Sequence, residues 1–250
     1  MINLLIVGAN GRMGKKVFEA CQNSENISPI CGVDMVENFT NPNYPIYSNI
    51  KDIEKNVDVI IDFSAPATLD NILDYAVSNC VPAVLCATGY KEEHLQKIEQ
   101  ASKKIALFRS ANMSLGVNAI IELVKMATLA LNGFDIEIIE KHHHNKVDAP
   151  SGTALMLADA VKEVSPEKFY IYGREGIVGK RDANEIGIHA IRGGNIVGEH
   201  DVIYCGENET ITISHQATDR AVFANGAVRA AEFIVGKPAG LYSMKDVLNK

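Results

Sequence analysis

One stretch near the start, INLLIVGANGRMGKK (Ile2–Lys16), limits the fold more than any other. Ile2–Val7 is a continuous apolar run broken only by Asn3. A run of that kind is a strand buried on both faces, as in a parallel sheet covered by helices. Glycines 8, 11 and 14 follow at once, and a helix then runs to Cys21. The G-x-x-G-x-x-G spacing is a variant of the dinucleotide fingerprint. Its glycines let the turn tighten and bring backbone N–H groups toward a pyrophosphate, while the helix N-terminus adds positive potential. Asp34 stands 20 residues past Gly14, at the end of a second apolar run, Ile27–Asp34. A carboxylate there accepts from the ribose hydroxyls of an adenosine and repels a 2′-phosphate. Met35 and Val36 follow it with no arginine, although Arg12, Lys15 and Lys16 are near enough to meet a phosphate. The plainer alternative is a tight strand–helix turn that holds nothing.

The alternation continues. Val57–Phe63 predicts a third strand, with a helix after Ala65–Pro66. Val81–Gly89 predicts a fourth, with a charged helix from Lys91, and Ile105–Phe108 a fifth. This rhythm calls for a doubly wound parallel sheet. The pattern then changes. Gly116–Leu131 predicts a long apolar helix, and Phe134–Glu140 alternates as a half-solvated strand. Three later stretches (186–194, 195–206 and 209–217) read as strands joined by Gly/Asn turns, hence largely antiparallel. A helix over Val222–Gly236 follows. These textures place a domain change near Ser114 and a return near Ala221.

Composition excludes some partners. Lys+Arg number 24 and Asp+Glu 31, a net charge of −7, which suits neither nucleic acid nor any other polyanion. No apolar run approaches the roughly 18–20 residues that cross a bilayer. The N-terminus has no basic segment before its apolar run, which argues against a signal peptide. Five cysteines, an odd number without metal-ligand spacing, predict reduced, mostly buried thiols in a cytoplasmic protein.

The second dense motif is EKHHHNKVDAPSGTAL, Glu140–Leu155. Strand parity puts Glu140, His142 and His144 with Ile138 and puts His143 on the other face. Three consecutive histidines on a strand cannot then share one metal, and no metal is expected. Pro150 disfavours helix at Ala149. Ser151 is placed to cap a helix whose apolar positions include Leu155, Ala158, Val161 and Val164. Gly152 and Thr153 then present backbone N–H groups at a helix start, a carboxylate site by geometry and dipole. Lys146 lies six residues before Gly152, on the loop, as a cation or an acid. The plainer reading of each histidine is a residue at a strand end. Asp62–Pro66 and Ala87-Thr88-Gly89 fall at carboxyl ends of strands, where ligands lie in doubly wound sheets, or else simply cap helices.

Taken together, GANGRMG (Gly8–Gly14), DFSAP (Asp62–Pro66), ANMSLGVN (Ala111–Asn118), the 140–155 motif, RGGNIVGEH (Arg192–His200) and FANGAVRAA (Phe223–Ala231) make the chain resemble the dihydrodipicolinate reductase family over nearly its whole length. The resemblance implies an α/β protein: a Rossmann-like doubly wound parallel sheet plus a second α+β domain with a mixed, largely antiparallel sheet. Residues 1–114 and 222–250 would bind the dinucleotide. Residues 115–221 would bind a small dicarboxylate ring and form a homotetramer. NADH or NADPH would be the cofactor, with NADH favoured because family members using NADPH often carry a basic residue where Met35 stands. Gly8, Ala9, Asn10, Gly11, Arg12, Met13 and Asp34 would hold pyrophosphate and ribose. Cys86, Ala87, Thr88, Ser110, Ala111, Asn112 and Met113 would lie along the nicotinamide. His142 and Lys146 match the family's catalytic pair, and His143, Gly152 and Thr153 its contacts to the substrate carboxylate. Cys86-Ala87-Thr88-Gly89 departs from the Gly-Thr-Thr-Gly common in the family. Two rivals stand beside this reading: another nicotinamide-dependent imino or amino acid reductase, and a nucleotide sensor without catalysis.

Overall fold

Along β1 (Ile2–Val7), Leu4 and Ile6 point to one side of a sheet and Leu5 and Val7 to the other, and all four are buried. That two-sided burial is why the run reads as continuously apolar. In this computed structural model, which describes every residue except Asn23, Phe39 and Lys250, the elements follow in chain order. They are α1 (Arg12–Cys21), β2 (Ile27–Val33), β3 (Ile46–Tyr47), β4 (Val59–Asp62), α2 (Leu69–Ser78), β5 (Ala83–Leu85), α3 (Glu92–Ser102), β6 (Ala106–Arg109) and α4 (Leu115–Ala130). After them come β7 (Asp135–His142), α5 (Gly152–Val164), β8 (Phe169–Tyr172), β9 (Glu185–Arg192), β10 (Gly198–Cys205), β11 (Thr210–Ala217), α6 (Ala221–Ile234), β12 (Gly240–Tyr242) and α7 (Met244–Leu248). The chain divides into two units, residues 1–115 with 220–250, and residues 116–219.

The first unit is a seven-stranded sheet in the order β12-β6-β5-β4-β1-β2-β3, every ladder parallel. The order reverses between β1 and β4, and there the loops leaving both strands diverge to opposite faces. Val17 of α1 and Ala224, Ala227, Ala231 and Ile234 of α6 cover one face. Leu69 and Ile72 of α2 and Ile98 of α3 cover the other. The returning helix α6 therefore supplies a large part of one core layer. Three of the five thiols, Cys21, Cys31 and Cys86, are buried, and no cysteine is in a disulfide.

The second unit is a five-stranded sheet in the order β11-β10-β7-β9-β8. It is mixed, with antiparallel β10/β11 and β10/β7 ladders and parallel β7/β9 and β8/β9 ladders, so the antiparallel share is half. One face packs Ile136, Ile138, Ile186, Ile188, Val202 and Tyr204 against Ile120 and Val124 of α4 and Leu157, Ala158 and Val161 of α5. On α5 the inward face is Ala154, Leu157, Ala158 and Val161, and Leu155 is only partly buried against it. No helix among the described residues is long and apolar enough to cross a membrane.

The opposite face of this sheet is ionic. Glu137 accepts from Arg174 at 2.9 Å on each oxygen, from Arg181 at 3.1 Å and pairs with His189 at 2.8 Å. Burial by itself would raise the pKa of Glu137, but the bonds from Arg174, His189 and Arg181 outweigh it and hold the carboxyl down to about 2. The folded value lies below the ordinary 4.5, so the stability it confers is complete above pH 4.5 and is lost as pH falls toward about 2. The urea midpoint is expected to drop between about pH 5 and pH 2.5 by more in the wild type than in Glu137→Gln. Equal drops would show that Glu137 is not responsible.

Candidate functional site

The glycine loop is fixed by the strand beside it. Gly8 and Ala9 donate to the Val33 carbonyl, at 2.9 and 3.2 Å. Asp34 accepts from the Asn10 N–H on Oδ2 and from the Met35 N–H on Oδ1, both at 2.8 Å. The Asn10 amide donates to the Val36 carbonyl at 2.8 Å. Gly8 has φ +79°, and a Cβ there would sit 2.9 Å from the Phe63 carbonyl oxygen, so only glycine lets the loops after β1 and β4 approach this closely. Gly11 caps α1 without a side-chain bond, and the first turn of α1 carries no acid. The N–H groups of that turn have no intrahelical acceptor, which suits a pyrophosphate.

Beside the loop, a cavity of about 400 Å³ is lined by Met13, Phe63, Ser64, Cys86, Ala87, Thr88, Ser110, Ala111, Asn112, Met113 and Phe223. The structure thus gathers one set of the expected cofactor residues, Met13, Cys86–Thr88 and Ser110–Met113, around a single hollow. Gly8–Arg12 and Asp34 form the loop pair at the ends of β1 and β2. Sequence reasoning gave no role to Phe63, Ser64 or Phe223. Asp62–Pro66 stood out as a strand-end segment, but nothing in the periodicity marks Phe223. Buried Asp62 organises its own loop: it accepts from the Ser64 N–H at 2.8 Å, from the Ser64 hydroxyl, and from the Tyr90 hydroxyl at 3.3 Å. Burial pushes the Asp62 pKa up, against those hydrogen bonds. Burial, then the Asp62 charge, pushes the Cys86 thiol well above its ordinary range, so it lines the hollow as a neutral group.

In the second unit β7 ends at His142, before the other two histidines. Its neighbour β9 stops at Arg192, opposite His142, and β10 begins only at Gly198, so no strand remains to pair beyond that point. His144 is therefore not on the strand parity of Ile138; it lies in an exposed turn, donating to Gly194. His143 stands just past the strand, its carbonyl accepting from the Lys146 N–H at 3.1 Å.

Glu140, on the apolar parity with Ile136 and Ile138, is completely buried. A buried carboxylate must be paired, and this one makes four contacts with three residues. Arg192 donates from both terminal nitrogens at 2.7 Å, His142 Nδ1 lies at 2.6 Å, and the Ser151 N–H donates at 3.0 Å. Arg192 also donates to the Asp148 carbonyl at 2.7 Å, and Asp148 holds the Lys146 ammonium through both carboxylate oxygens at 2.8 Å. Lys146 first of all holds the Asp148 pKa down. The Ser151 hydroxyl accepts from the Ala154 N–H at 3.1 Å and meets His200 Nε2 at 2.8 Å. Burial, then His142, pushes His200 down to about 4, so it stays neutral near pH 7. Gly152 and Thr153 form the first turn of α5, which carries no acid.

One hydrogen-bonded chain thus joins His142, Lys146 and the start of α5. Of the residues that join them, Glu140, Asp148 and Arg192 had no role in the sequence reading, and Ser151 had only that of the helix cap it is. The parity of Glu140 was the available signal.

Fold and site together define a class, the two-unit oxidoreductases that work with a nicotinamide dinucleotide. Within that class the chain belongs to the dihydrodipicolinate reductase family. The family's N-terminal model, "Dihydrodipicolinate reductase, N-terminus", matches residues 2–113, and its C-terminal model, "Dihydrodipicolinate reductase, C-terminus", residues 116–248. The chain is 51% identical to the 4-hydroxy-tetrahydrodipicolinate reductase of Caldanaerobacter subterraneus subsp. tengcongensis, covering 100% of this chain and 99% of that one. It is 49% identical to the enzyme of the same name from Clostridium tetani, over 100% of this chain and 98% of the other. Among solved structures, dipicolinate-bound dihydrodipicolinate reductase from Paenisporosarcina sp. TG-14 matches with a TM-score of 0.80 and 25% identity, over 97% of both chains.

Proposed function

We propose that this chain is a 4-hydroxy-tetrahydrodipicolinate reductase of diaminopimelate and lysine biosynthesis. The observation that carries the reading is the chain of bonds from His142 through Glu140 and Arg192 to Asp148 and Lys146, and through Ser151 to the start of α5. It sets an imidazole, an ammonium and helix-start amides together, as a dianionic ring that needs a proton requires. The related solved structure is one with dipicolinate, a dicarboxylate ring, bound.

The residues of the first unit fit a dinucleotide. The uncapped first turn of α1 and the amides of Gly8–Met13 suit the pyrophosphate, Asp34 the ribose, and the hollow lined by Cys86–Thr88 and Ser110–Met113 the nicotinamide. When bound, the reduced nicotinamide supplies a hydride. The substrate, a cyclic imine dicarboxylate, loses its 4-hydroxyl together with a neighbouring ring proton as water, and the conjugated imine that remains would take that hydride at C4. Electron density moves to the ring nitrogen, and the resulting enamine takes a proton at C3. The amides of Gly152 and Thr153, with His143, hold one carboxylate and so fix the ring. Lys146, exchanging Asp148 for the substrate, gives the proton. His142 positions substrate or water. NADH is favoured over NADPH, because Asp34 would face the 2′ position and exposed Met35 would bring no cation to it. The enzyme works in the cytoplasm as a homotetramer built on the five-stranded sheets, whose outer face carries exposed Ile191 beside the ionic groups.

The test follows NADH absorbance with the enzymatically generated ring substrate. Oxidation with that ring, and not with other keto or imino acids, is expected, with a higher kcat/KM for NADH than for NADPH. Turnover of other imino acids in preference would favour the rival reductase, and binding without turnover the sensor.

A further inference from the structure

Glu140 is the most deeply buried charge in the second unit, and its oxygens accept every bond they make. Oε1 takes Arg192 Nη2 and the Ser151 N–H, and Oε2 takes Arg192 Nη1 and faces His142 Nδ1. Burial alone would raise the pKa of such a carboxyl. The bonds from Arg192 and His142 reverse that and lower its pKa, so it is ionised near neutrality. An ionised carboxylate has no proton to give, so His142 Nδ1 must be the donor at 2.6 Å. In its neutral form an imidazole carries one N–H, and with that proton on Nδ1 its Nε2 is bare.

We propose that Glu140 is a positioning residue for the reduction: it commits the Nδ1 proton of His142 and leaves Nε2 as the nitrogen presented to the substrate. Arg192 is its partner in that role. The same guanidinium that holds both oxygens of Glu140 also fixes the Asp148 carbonyl, and so sets the loop bearing Lys146 against the end of β7. The rings of His142 and neutral His200 meet nearly at right angles, with centroids 5.2 Å apart and planes at 74°, so His200 packs one side of the imidazole. A charged strand-end ion pair with no part in turnover would also bury Glu140, but it would place no demand on the tautomer of His142. The inference rests on the reading of His142 as a group that works on the ring.

Two measurements test it. The first is the ¹⁵N spectrum of histidine-labelled wild type near neutral pH, with His142 assigned from His142→Gln. Protonated Nδ1 and bare Nε2 are expected, the reverse of the form imidazole prefers in water. A wild type with protonated Nε2 overturns the inference and leaves the reductase reading untouched. The second is Glu140→Gln, whose amide can offer a proton to Nδ1. Its kcat should fall by more than about threefold, and by less than the roughly 10²–10⁴-fold that an acid–base group itself contributes, with KM for the ring within about threefold of wild type. Glu140→Asp, which keeps the charge one methylene short, should recover part of the loss. A Glu140→Gln enzyme that keeps kcat within about threefold overturns the proposal. If Gln at 140 prevents folding, the wild-type spectrum and the Asp variant decide alone. Wild type with protonated Nδ1 but no turnover of the ring would instead overturn the functional reading, and with it any part of Glu140 in turnover.

Discussion

Lys146→Ala is expected to lower kcat by about 10²–10⁴-fold, the usual contribution of a general acid, while the protein stays folded. The side chain sits on the 143–150 loop, and its partner Asp148 is 57% exposed. A pair that open to water contributes at most about 1 kcal/mol to stability. The thermal midpoint should therefore barely move, and the loss in rate can be assigned to chemistry. Lys146→Arg would keep the charge but not the acidity, and should also be slow. A Lys146→Ala enzyme with kcat within about threefold of wild type would remove Lys146 as the proton donor.

Gly226→Ala is expected to damage both stability and cofactor binding, although the residue reaches no ligand. It lies in α6, where a Cβ would stand 1.7 Å from the Met113 carbonyl oxygen. A backbone oxygen cannot move aside as a side chain does, so α6 or the 110–113 segment must shift. Overpacking of this kind typically costs about 1–3 kcal/mol. Because Ser110–Met113 line the hollow assigned to the nicotinamide, the dissociation constant for NADH should rise together with the fall in unfolding midpoint. Unchanged values of both would show that the two segments have slack between them.

The first unit was largely legible from its residues. Two-sided burial made β1, β2, β4, β5 and β6 into apolar runs, and the glycines marked where the chain turns into α1. The strands β3 and β12 were not legible. At two and three residues, Ile46–Tyr47 and Gly240–Tyr242 carry no periodicity, and β12 earns its place only by pairing with β6, far back in the chain. In the second unit the turn-like Gly193-Gly194-Asn195 suggested a hairpin of β9 with β10. Instead both strands flank β7, one parallel and one antiparallel, which no local signal announces. β8, four residues long and half exposed, escaped notice for the same reason as β3. At the candidate site, parity placed Glu140 on the face of Ile138, but the strand stops at His142, so parity did not apply to His143 and His144. It could not name Arg192, 52 residues away, as the group that makes that burial tolerable.

The discontinuous first unit also has a consequence for biogenesis. During synthesis, residues 1–115 leave the ribosome with one layer of their sheet covered only by α1, and the residues that complete it, Ala224, Ala227, Ala231 and Ile234, arrive after the whole of the 116–219 segment. Until then Ile61, Val84 and Phe108, all destined for burial under α6, remain open to solvent, as they would in any fragment stopped before residue 221. The nascent 116–219 segment, whose own strands and helices are contiguous in the chain, can close its core earlier. The order of folding should thus be the reverse of the order of translation, and a chaperone that acts on this protein would find its binding surface on the half made first.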